Sequence, residues 1–185
     1  MISTEKWVEL IPEFAEIRDP ALRELGLKAT QLAAEKGGWT EETVELAPVT
    51  VNYPGCGCNL IQHVRKVVQT CLADYSLLSG FYEQNGCPMD RDVVACGALL
   101  HDIGKFTEFT LREGKPVHSE SAALMRHPLA GAIIAAEAGL PDVIVNLIAT
   151  HSFEGDRSVR TREADFVRAI DDFVFKCSVA GLSKK

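Results

Sequence analysis

Four of the five histidines, His63, His101, His127 and His151, stand where the sequence signals the start or end of a helix, and Asp102 directly follows the second of them. An acidic pair, Asp171-Asp172, lies in the last helical stretch. Imidazole brings a neutral nitrogen donor; carboxylate brings an anionic oxygen that can bridge two cations, and borderline divalent ions favour this mixture. Two such ions a few ångströms apart share an activated water and clamp the oxygens of a substrate. A single histidine on an apolar helix is more often a satisfied core residue than a ligand. Four at helix edges, one of them in the dipeptide of Leu-Leu-His-Asp-Ile-Gly-Lys, point instead to a metal centre.

The segment ALLHDIGKF resembles the central motif of the HD-domain superfamily of metal-dependent phosphohydrolases. The ordered set His63, His101-Asp102, His127, His151 and Asp171 is similar to the dinuclear branch of that superfamily, which includes the HD-GYP phosphodiesterases and the HD-type di-iron oxygenases. The resemblance covers roughly residues 59–177. It implies that His63, His101, Asp102 and Asp171 hold one metal ion, and that Asp102 bridges to a second held by His127 and His151. Asp171 and Asp172 point about 100° apart on a helix, so only one can face the metals; Asp171, which follows apolar Ile170, fits the family pattern better. Lys105, four residues after His101, would contact the substrate or the bridging ligand, so Asp102 and Lys105 are the candidate catalytic residues.

The implied cofactors are two divalent ions drawn from Fe, Mn, Ni, Co, Zn or Mg. The implied activity is hydrolysis of a small phosphate ester or nucleotide by metal-activated water. The same ligands also serve mixed-valent di-iron oxygenases that cleave C–C or C–P bonds, and hydrolysis of a non-phosphate substrate stays open because activated water is unselective. A non-catalytic, metal-stabilised sensing module is a further alternative. His151 is followed by Ser152 rather than a second histidine, and no Gly-Tyr-Pro signature follows, which argues against cyclic dinucleotide cleavage.

Other chemistry-bearing residues are read more plainly. Cys56-Gly57-Cys58 has the wrong spacing for a structural zinc site and no second pair to complete one; the six cysteines read as reduced thiols. His118 is expected at the surface. Arg157, Arg160 and Arg162 are expected to form a solvated face that steers an anion, and Arg65 and Arg126 are candidates for support or substrate contact.

The elements that must position these groups are helical. Apolar spacing predicts helices over 5–17 and 20–36, a long one from Asn59 as N-cap to about Tyr82, and one capped by Asp90 that leads into His101-Asp102 and stops at Gly104. Residues 106–122 read as a loop or small hairpin around Gly114. Pro128 fits the first turn of a helix beginning at His127, Pro141 opens another reaching His151, and a last spans about 164–177. APVTVNY within the irregular 40–58 stretch is a short strand or an extended loop. The expected fold is all-α: a bundle of six or seven helices over 59–177, an N-terminal helical extension over 1–58, and a tail over 178–185. With 46% hydrophobic and 24% charged residues the chain can bury a substantial core, and the formal charge of −7 disfavours a nucleic-acid polymer or membrane partner. A small anionic substrate, a cytoplasmic location and self-association as an open question complete the expectation.

Overall fold

The computed structural model describes residues 2–185. Helix α1 (Thr4–Leu10) is capped by the Ser3 hydroxyl, which accepts from the Lys6 amide. The helix expected over 5–17 breaks at Ile11: Pro12 has no N–H to donate and its ring would collide with the carbonyl of Val8, so the chain continues as a 3-10 turn, Pro12–Glu16. Helix α2 (Pro20–Gly37) begins on the Asp19 cap. Residues 39–58 stay irregular; APVTVNY forms no strand, only an isolated bridge between Pro48 and Asn59.

Helix α3 (Leu60–Gln84) starts with a reciprocal capping box between Asn59 and Gln62. Helix α4 (Arg91–Leu100) is capped by the Asp90 carboxylate and ends with His101 as its C-cap. A tight turn then leads into the one-turn helix α5 (Lys105–Glu108). Strands β1 (Phe109–Arg112) and β2 (Lys115–His118) pair antiparallel, with Arg112 opposite Lys115. The two residues between them, Glu113 and Gly114, both have positive φ, as a two-residue hairpin loop requires. Helix α6 (His127–Ala138), helix α7 (Asp142–Thr150) and helix α8 (Arg162–Val179) complete the chain. Among the described residues there are thus seven helices of two turns or so and longer, one single-turn helix and a two-stranded hairpin; the all-α expectation holds.

Helix α3 packs on α4 and α8, while α6 packs on α7 and α2. One core runs through them: Val67, Val68 and Cys71 of α3, Ala95, Ala98 and Leu100 of α4, and Ile144, Leu147 and Ile148 of α7 are fully buried. Each larger side chain of this set contributes about 1.5–3 kcal/mol by leaving water. Trp7, Phe14 and Ile17 from the first segments join the same cluster. Among the described residues no helix is long and apolar enough to cross a membrane.

Gly104 is not the helix stop expected of it, because its φ of −64° is right-handed. It is a contact point. A Cβ there would lie 2.0 Å from the His127 carbonyl oxygen and 2.6 Å from the Gly131 nitrogen, so glycine lets the turn after Asp102 touch the first turn of α6.

Candidate metal centre

Five elements deliver the candidate ligands to one place. His63 sits in the first turn of α3, His101 caps α4, Asp102 opens the turn that follows, His127 begins α6, His151 caps α7 and Asp171 lies in the middle of α8. All four histidines and Asp102 are buried. His101 and His151 share one local device. The ring Nδ1 of each lies against the carbonyl three residues back, 2.8 Å from Ala98 O and 2.7 Å from Ile148 O. A carbonyl only accepts, so Nδ1–H donates and satisfies an orphan carbonyl of the last turn, while Nε2 faces inward, where a neutral ring would offer its lone pair. His127 is held differently: Oε2 of buried Glu108 accepts from both its Nδ1 (2.6 Å) and its backbone N–H (2.8 Å).

The Asp102 carboxylate stands between two sets of imidazoles. Its Oδ2 is 3.4 Å from Nε2 of both His63 and His101, and its Oδ1 is 3.5 Å from Nε2 of both His127 and His151. Asp171 Oδ1 reaches His63 Nε2 at 2.9 Å and His101 Nε2 at 3.5 Å. Asp172 turns aside to pair with Lys176 at 2.6 Å. Lys105 Nζ approaches Asp102 Oδ2 at 2.7 Å, yet neither Asp102 oxygen accepts a well-directed hydrogen bond. A wholly buried carboxylate is costly unless cations lie against both its oxygens, and Lys105 reaches only Oδ2. The donor set fits such cations: His63, His101, Asp102 and Asp171 could hold one ion and Asp102, His127 and His151 another, the donor atoms within each group lying within 4.8 Å of one another.

The charges around the site reinforce this. Burial pulls the His101 imidazolium down, but the Asp102 and Asp171 carboxylates outweigh it and push its pKa up to about 10. Burial works against ionised Asp102 as well, and Lys105 and His101 overcome it, holding the carboxyl well below the usual range. His127 moves the other way: burial depresses it more than Glu108 restores it. A ligating His101 must shed its proton, so divalent-metal affinity is expected to rise with pH, about tenfold per unit for one proton released, across roughly pH 6 to 9. In the metal-free protein the sign reverses: the stability that protonated His101 contributes is complete below its ordinary value near 6.5 and is lost as pH climbs through about 10. Metal titrations at several pH values test this; a flat affinity would remove His101 from the ligand set.

The two donor groups open into a pocket of about 390 Å³ whose wall includes Lys105, Arg126, Arg168, Lys184, Tyr53 and Phe175. Lys105 is buried and its Nζ lies 6.0 Å over the Phe175 ring. His118 is exposed as expected, but at the mouth of this pocket. Arg126 pairs with Glu108 and with Glu154. Arg65 turns away to Glu13. Arg157 and Arg162 are exposed, whereas Arg160 is not solvated as expected: its guanidinium donates to the carbonyls of Thr150 and Ser152 and pins the loop after His151. Cys56 and Cys58 are half-buried free thiols outside both donor groups.

Sequence reasoning missed Glu108, Arg168 and Lys184. For Glu108 the available signal was an acid between Phe106 and Phe109, three residues after Lys105 in the KFTEF segment. Replacing it by glutamine keeps the shape and removes the charge that orients His127. Glu108→Gln is expected to weaken metal binding about 10- to 100-fold, measured by titration on protein with unchanged circular dichroism; equal affinity would reduce Glu108 to a structural ion-pair partner.

A family model described as the HD domain matches residues 60–175. No curated protein and no solved structure gives a significant match.

Proposed function

This chain belongs to the HD-domain family, and on that premise we propose that it is a metal-dependent phosphohydrolase acting on a small phosphate ester or nucleotide through two divalent ions. The observation that carries the reading is the buried, unsatisfied Asp102 carboxylate with one oxygen toward each donor group. Around it, a chain of net charge −7 brings Lys105, Arg126, Arg168 and Lys184 to the pocket lining. Arg126 and Arg168 are paired with carboxylates and the lining also carries four acids, so it is with metal ions bound that these cations would favour an anionic substrate. Divalent ions held there lower the pKa of a water toward neutrality and neutralise charge on phosphoryl oxygens.

The chain's own residues do the rest. Asp102 keeps the two donor groups in fixed relation, and the carbonyl and carboxylate partners of His101, His151 and His127 hold each Nε2 toward the centre. Lys105 supplies a positive charge at Asp102 where charge builds on the phosphoryl group. The buried donors and the aromatic walls limit competing water.

Elemental analysis of protein purified without chelator, together with turnover of a chromogenic phosphate ester in Mn²⁺ or Ni²⁺, tests the reading. Close to two equivalents of metal with phosphate release supports it. Iron at that ratio with substrate-dependent O₂ consumption and no phosphate release overturns it in favour of the oxygenase chemistry.

A further inference from the structure

Beside the metal pocket lies a second cavity of about 510 Å³ that the site described so far does not use. The two are neighbours with common walls: Thr50, Asn52, Tyr53 and His118 line both. One side of the second cavity is the irregular 48–56 loop, which presents Pro48 and Pro54; the other is strand β2, which presents Pro116 and Val117. Three proline rings, Val51, Val117 and Tyr53 give it rigid apolar surfaces that lose little entropy on contact, with Thr50, Asn52, His118 and Lys185 supplying polar groups between them. Its volume falls in the range that small-molecule sites occupy, about 300–1,000 Å³.

The loop wall is built rather than loose. After α8 the chain turns at Gly181 (φ 76°) and folds back across the loop. The Leu182 side chain sits against Gly55, so close that a Cβ on that glycine would come within 3.0 Å of Leu182 Cδ2. The Lys185 amide donates to the Asn52 carbonyl at 2.9 Å. At its far end the loop is tied down by the Asn59 side-chain amide, which donates to the Glu45 carbonyl at 3.0 Å.

We infer that this cleft seats the organic group of the substrate, and that it selects a planar, uncharged aryl or heteroaryl group whose phosphate lies at the metal centre. The inference rests on the phosphohydrolase reading. Its geometry is the adjacency of the two cavities, which share Thr50, Asn52, Tyr53 and His118: the ester substituent of a phosphoryl group held at Asp102 and Lys105 would extend past these residues toward the proline-bearing walls. Tyr53 is itself braced, its ring packed edge-on to Phe175 at 6.2 Å.

Calorimetric titration of the Mn²⁺-loaded full chain with inorganic phosphate, methylphosphonate and phenylphosphonate tests the assignment without requiring turnover. The phenyl compound is expected to bind about tenfold more tightly than the methyl compound, because its ring leaves water against apolar walls. Val117→Trp and Pro54→Trp, at residues that line the second cavity and not the metal pocket, fill the cleft from opposite sides, so that one misfolded variant does not end the test. Either is expected to erase the phenyl preference while changing the affinity for inorganic phosphate less than about twofold. Equal affinity of wild-type protein for the two phosphonates, or a phenyl preference that survives both substitutions, overturns the cleft assignment alone. If inorganic phosphate itself fails to bind, the phosphohydrolase reading is overturned and the cleft assignment goes with it.

Discussion

Asp102→Ala is expected to lower kcat for a phosphate ester by at least about three orders of magnitude, the scale seen when a member of a catalytic unit is removed, and to strip the protein of most of its metal. Both expectations come from one geometric fact. Asp102 alone belongs to both donor groups, Oδ2 on the side of His63 and His101 and Oδ1 on the side of His127 and His151. Without it the second donor group is reduced to the two imidazoles of His127 and His151 with no carboxylate donor, and Asp171 serves only the other group. The substitution also leaves Lys105, 8% exposed, without its carboxylate, and an uncompensated buried charge costs about 3–5 kcal/mol. Asp102→Asn, which keeps the volume, separates the two effects. Its activity loss should match that of the alanine variant while its circular dichroism stays native. Undiminished turnover in either variant would end the metallohydrolase reading.

A large effect on stability is also expected at a residue that does no chemistry. Gly104→Ala places a methyl group 2.0 Å from the His127 carbonyl oxygen, and both sides of that contact are backbone. Neither can swing away as a side chain would. Relief requires α6 to move off the turn that carries Asp102, against a helix whose Ala130, Ile134, Ala135 and Ala138 are buried in the core. Overpacking of this kind costs about 3 kcal/mol, which for a chain of this size lowers Tm by roughly 6–12 °C. Because His127 rides on α6, the variant should also bind its second equivalent of metal more weakly than the first. Calorimetric unfolding checks the first expectation. A wild-type Tm would show that the turn and α6 slide apart freely, and would leave the alignment of Asp102 with His127 to other contacts.

Much of the candidate site was legible in the sequence because its histidines sit at helix ends, where sequence signals are strongest. Asn59, Asp90, Pro128 and Pro141 mark starts through capping and proline chemistry that depends only on near neighbours. His63 and His127 stand in the first turns that Asn59 and Pro128 mark, and His101 and His151 at the far ends of the helices that Asp90 and Pro141 open. What escaped depends on distant parts of the chain meeting. Glu108 matters because α6 brings His127 beside it, and Arg160 is withdrawn from water by carbonyls of a loop whose path no local pattern dictates. Gly104 was given a local role, as a helix stop, and has a tertiary one. The break at Ile11 was readable after all, since Pro12 forbids the continuous helix that apolar spacing proposed.

His101 and His151 owe the aim of their rings to carbonyls of their own helices, and a main-chain oxygen is present whichever residue stands at position 98 or 148. Mutational drift at Ala98 or Ile148 therefore leaves both tautomers intact so long as the helices themselves survive. His127 has no such insurance, because its orientation hangs on one replaceable acid, and Nδ1 of His63 has no protein partner among the described residues. The centre is thus genetically robust at the tips of α4 and α7 and fragile at the openings of α3 and α6. Because Ala98 and Ile148 are themselves core residues, a screen should show the asymmetry among folded variants, as metal binding kept at 98 and 148 and lost at 108.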